Sequence, residues 1–115
     1  MANTFKLVTK ANVTSADVIY TVAASTTAVV IGLVLGNTTG SATTATVSVG
    51  TDTANRAGDG TESNQTVELI TSTAIPANSS LEIMGGNKLN LETTDTLSVT
   101  AGASTDVLLS VMEIT

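Results

Sequence analysis

The chain has 115 residues, ten acids against four bases for a net charge of −6, and neither Cys nor His. Those absences exclude disulfide frameworks, thiolate nucleophiles, the usual zinc ligands and the commonest general base, and the scattered Lys6, Lys10, Arg56 and Lys88 exclude the basic patch that nucleic acid requires. The 23 Thr residues and a 42% hydrophobic content exclude disorder and favour strands, because β-branched side chains fit a pleated, half-buried surface.

Strand patterns recur along the chain, separated by polar breaks. The first, around Phe5 and Leu7, covers 4–9. The second covers 17–22, with Val18, Tyr20 and Val22 on one face. The third covers 27–35 and closes on the turn residues Asn37, Thr38, Thr39 and Gly40. The cleanest alternation is 43–49: Ala45, Val47 and Val49 inward, Thr44, Thr46 and Ser48 outward. A long Gly-, Asp- and Asn-rich loop, 50–64, leads into a strand over 65–71 with Val67 and Leu69 inward and Glu68 outward. Segments 80–84 and 88–92 flank Gly85, Gly86 and Asn87, which predicts a hairpin with Leu81 and Ile83 opposing Leu89 and Leu91. Strands over 96–100 and 106–114 complete the set. No stretch sustains helical periodicity. The expected fold is all-β: a single domain, 1–115, forming an antiparallel β-sandwich of about eight strands, jelly-roll-like.

Two strands depart from alternation. Val29, Val30, Ile31, Leu33, Val34 and Leu35 are apolar in both phases, and so are Val107, Leu108, Leu109, Val111, Met112 and Ile114. An open antiparallel sheet normally wets one side. A second apolar face is covered either by loops of the same chain or by another subunit. Val30, Val34, Leu108, Met112 and Ile114 are the candidate subunit-interface residues. Low charge, 12% of residues, supports this, because Thr and Ser hydroxyls are cheaper to desolvate than ions.

The remaining motifs carry less. Gly32 and Gly36 have helix-dimerisation spacing, but no apolar 20-mer surrounds them, so Gly32 marks a bulge or a close backbone approach. Asp52, Asp59 and Glu62 could offer oxygen ligands to Ca²⁺, yet they lack the ordered spacing of a calcium loop and read as solvated turn acids. Sequons at Asn12, Asn37, Asn64 and Asn78 are about as frequent as a Ser- and Thr-rich chain gives by chance. The acids fall mostly at exposed strand and turn positions, which argues against a paired, desolvated carboxylate and against an enzyme. Two aromatics, Phe5 and Tyr20, are too few for a sugar-stacking platform. The longest apolar run, 28–35, is far shorter than the ~20 residues a spanning helix needs. No cofactor, metal, nucleic acid or membrane is expected.

Val18, Ile19, Tyr20, Thr21 and Val22, then Ala24, Ser25, Thr26 and Thr27 and the pair Val29 and Val30, resemble the opening hairpin of small β-sandwich structural proteins in tailed-bacteriophage virions. The run from Ile75, Pro76, Ala77 and Asn78 to Leu81, with Asn87 to Leu91, Asp95 to Val99 and Ser110 to Ile114, is similar to their second half. The family often has Pro and Gly where this chain has Ala23 and Ser25. The resemblance implies an oligomeric virion part with no catalytic residues and leaves its place on head, neck, tail or fibre open. With no export segment evident, synthesis in the host cytoplasm is expected. The expected role is foremost that of a capsid decoration (cement) protein, a homo-oligomer such as a trimer, seated on the major capsid protein or other virion proteins. The alternatives are a tail, neck or fibre component and, less well supported, a receptor- or glycan-binding module.

Overall fold

A computed structural model describes residues 2–51 and 64–115. Nine strands follow in order: β1 Asn3–Val13, β2 Ala16–Thr21, β3 Thr27–Asn37, β4 Thr43–Gly50, β5 Thr66–Ile75, β6 Ser80–Glu82, β7 Leu89–Leu91, β8 Thr96–Ala101 and β9 Thr105–Ile114. Among the described residues there is no helix. All pairings are antiparallel. Sheet A has the order β1-β9-β3, with β6 and β7 both on the far side of β3; sheet B has the order β2-β8-β4-β5. The chain switches sheets at β1–β2, β2–β3 and β3–β4, returns to sheet A after β5, and crosses twice more around β8. This is the double Greek key of a jelly roll. Because β2 and β3 lie in opposite sheets, the expected opening hairpin is a corner between layers.

The predicted hairpin over 80–92 does not form. Leu81 pairs with Leu35 and Leu89 with Val30, so β6 and β7 run in the same direction along one side of β3. They are one edge strand interrupted by a detour, and merging them recovers the expected count of eight. Gly85 and Gly86 do adopt positive φ (52° and 93°) and Asn87 N–H donates to the Met84 carbonyl, so the turn chemistry was real. The detour tucks Met84 into the core and leaves the chain heading unchanged.

The core lies between the sheets. Val30, Leu33, Leu35, Val107, Leu109 and Val111 come from sheet A, and Ala45, Val47, Val49, Leu97 and Val99 from sheet B. Among the described residues, buried polar side chains are few and satisfied. Asn37 is 3% exposed; its Nδ2 donates to the carbonyls of Ser41, Ile75 and Pro76, while its Oδ1 accepts from the Thr39 N–H and hydroxyl. That side chain is a turn keystone and is closed to glycosylation. Asp95 departs from the expectation of solvated acids: it is buried, and its Oδ2 accepts the Glu92 N–H at 2.9 Å. Val67 departs the other way, standing exposed at the sheet edge in register with Val49. Ser25 sits at φ 55°, the left-handed backbone that glycine would hold without strain. Of the calcium-loop residues, Asp52, Asp59 and Glu62 lie outside the described residues.

Candidate assembly surface

The outer face of sheet A follows from register and phase, since residues directly opposite in an antiparallel pair share a face. In β9 the buried phase is Thr105, Val107, Leu109 and Val111; Asp106, Leu108, Ser110, Met112 and Ile114 point outward. Phe5 pairs with Met112, Leu7 with Ser110 and Thr9 with Leu108, so β1 presents Phe5 and Leu7 beside them. On the other flank Val29 pairs with Met112 and Val34 with Leu108. Three rows therefore cross the face: Phe5–Met112–Val29, Leu7–Ser110–Gly32 and Thr9–Leu108–Val34. Ile31 rises beside the middle row.

This band is exposed. Phe5 is 72% accessible, Leu7 63%, Leu108 44% and Ile31 39%, while Val29, Val34, Met112 and Ile114 are partly covered. Two of the few charges on the outward phase, Asp106 and Glu82, lie towards one end. Asp106 Oδ1 accepts the Asn12 N–H at 3.0 Å. The outer face of sheet B is different: Thr46 and Ser48 of β4 pair with Thr100 and Ser98 of β8, giving a hydroxyl surface on which Val18 is an isolated exposed apolar residue.

Of the sequence-derived interface set, Leu108, Met112, Ile114 and Val34 lie on this band. Val30 does not: it is fully buried between the sheets. The register between β3 and β9 shifts between Val30 and Gly32, which makes Ile31 an extra residue. Counting back by two from outward Val34 reaches Gly32 and then Val30, but the bulge reverses the phase. Val29 and Ile31 take the outward places. A Cβ on Gly32 would meet nothing within 4 Å, so this glycine marks the bulge and not a close backbone approach. Phe5 and Leu7 went unassigned in the sequence because β1 carries apolar residues in one phase and Lys6, Val8 and Lys10 in the other.

A polar cluster closes the open side of the sandwich between β1, β9 and β2. Tyr20 OH donates to Glu113 Oε2, and Lys6 Nζ pairs with Glu113 Oε1 at 2.9 Å. Lys10 pairs with Asp17 at 3.5 Å nearby. The hydrogen bond from Tyr20, then that from Lys6, holds the Glu113 carboxyl below its ordinary value, while burial and then Glu113 push the Tyr20 hydroxyl above its own. Both shifts lead away from neutrality, the opposite of a poised acid or base. The cluster is a clasp between sheets.

Comparison with protein-family models and with curated protein sequences gives no match. Among solved structures, a chain of the infectious bursal disease virus Gx strain is similar over 96% of this chain and 32% of its own length, at 8% identity and a TM-score of 0.52. A point-mutant VP2 protein of that virus, in T=1 particles, is similar over 96% and 31%, at 8% identity and a TM-score of 0.50. The fold is shared. The chain spans about a third of the length of these two viral proteins. A chain of the disulfide-linked pili of Bacillus endospore appendages is also similar, with 17% identity over 99% of this chain and 87% of that one, at a TM-score of 0.46.

Proposed function

We propose that this protein is a structural subunit of a virus particle, and specifically a capsid decoration protein of a tailed bacteriophage that binds in many copies to the major capsid protein. The observation carrying this reading is the contiguous apolar band on the outer face of sheet A, on an otherwise acidic and hydroxyl-rich chain. The largest apolar patch on a soluble protein is often its functional contact surface. A jelly roll supplies a rigid plate for it, and the similar viral VP2 fold forms T=1 particles. The segments that resemble phage β-sandwich proteins support the finer assignment.

The mechanism is mechanical. Copies seated across junctions between capsid subunits oppose their separation, with Phe5, Leu7, Leu108 and their neighbours desolvated in contacts between copies of this chain. A specific, stable contact needs roughly 1,200–2,000 Å² in total. Quantitative mass spectrometry of purified particles tests the reading. Hundreds of copies per particle are expected. A few to tens would place the protein in the tail, neck or a fibre, and absence from particles would overturn the virion role altogether.

A further inference from the structure

The apolar band carries a knob and a hollow. Phe5, 72% exposed, stands in the row at one end. At the other end is a shallow hollow of about 310 Å³ lined by Thr9, Lys10, Ala11, Val34, Asp106, Val107 and Leu108, its exposed surface mostly apolar despite the two charged residues. Its volume is larger than that of a phenyl ring, so the ring of Phe5 can be seated there against Val34, Leu108 and the aliphatic stem of Lys10. Between knob and hollow runs the Leu7–Ser110–Gly32 row, whose Ser and Gly leave its centre low.

The geometry points to a second copy of this chain as the occupant of the face, in an inference that rests on the assembly reading above. The two copies pack sheet A on sheet A about a two-fold axis lying across the strands at the Leu7–Ser110–Gly32 row. That operation carries Phe5 of each copy into the hollow of the other and lays the Phe5–Met112–Val29 row against the Thr9–Leu108–Val34 row. Knob and hollow on one surface, on opposite sides of one line, are what an isologous contact requires; a trimer ring needs two unlike patches.

Charge and size agree. Asp106 lies four residues beyond Ser110, so this axis holds the two Asp106 carboxylates roughly 26 Å apart, beyond the ~10 Å over which salt leaves surface charges coupled. Three strands of about 11 residues project roughly 36 by 14 Å, or about 500 Å² per copy, which brings the pair to the ~1,000 Å² lower limit of a specific interface. The sheet edges are guarded against the alternative of strand addition. Lys6 and Lys10 line the free strand β1, β5 carries register shifts and Ser72 at φ 45°, and the β6–β7 edge is broken.

Sedimentation of the full chain up to about 100 µM, without particles, tests this. Wild type is expected as a dimer. Phe5→Ser should weaken association about tenfold or more, while Val18→Ser, at a similarly exposed position on sheet B, should leave it unchanged. Circular dichroism should be the same for all three. A wild-type monomer at that concentration, or equal effects of Phe5→Ser and Val18→Ser, would each overturn the inference. A monomer found on purified particles removes the dimer and leaves the virion role standing; a dimer absent from particles does the reverse.

Discussion

Leu108 and Leu109 are identical neighbours in opposite surroundings: Leu109 is fully buried between the sheets and Leu108 is 44% exposed outside them. Truncating Leu109 to Ala removes core contacts with sheet B and is expected to cost about 2–5 kcal/mol. Leu108→Ala should change the isolated chain's stability by only ~0.5 kcal/mol or less. Urea midpoints at unchanged slope measure both. Asn37→Ala strips the donor from three carbonyls and the acceptor from Thr39, and an expected loss of about 1–3 kcal/mol should appear in the same experiment. The phase of Leu108 was legible because Asp106 and Ser110 mark the outward positions around it. No polar residue marks the phase between Val29 and Val34. Nothing in that run distinguishes Val30 inward from Val30 outward, and only the bulge decides it.

At the scale of elements, strand existence was legible almost throughout, because period-two alternation at 43–49 and 96–100 reports a wet side and a dry side directly. Pairing was not. Gly85 and Gly86 announce a local backbone conformation, and a chain can use positive φ to reverse or to step aside and continue. Here the neighbour β3 carries its own bulge at Ile31, opposite the detour between β6 and β7. The clasp across β1, β2 and β9 was equally invisible, since Lys6, Tyr20 and Glu113 are brought together only by the fold. Its pH dependence has a definite sign. Glu113 is depressed in the folded state, so its contribution is present above the ordinary carboxylate value of about 4.3 and lost as pH falls through the folded value. Tyr20→Phe removes the first cause of that depression. Stability should therefore decline less steeply below about pH 4 in the variant than in wild type, measured by thermal midpoints across the acid range.

On the scale of the whole molecule, the last strand is central. β9 lies between β1 and β3, so most of sheet A stays unpaired until β9 joins it. Non-local pairing of this kind makes folding slow. A chain ending at residue 104 is expected to lack a cooperative unfolding transition, because β1 loses its whole ladder and β3 keeps only the short β6 and β7; far-ultraviolet circular dichroism on heating checks this.

The first and last strands also meet at their outer ends: Ala2 N–H donates to the Thr115 carbonyl at 3.2 Å, and Thr115 N–H donates to the Ala2 carbonyl at 3.0 Å. Tension applied between those two ends would act across the ladder and peel β1 from β9 one pair of bonds at a time, the geometry of a zipper. Tension applied through the broad faces loads many contacts at once. The same sandwich is therefore compliant along one line and stiff along another, and a scaffold tethered by its ends would yield where one held by its faces would not.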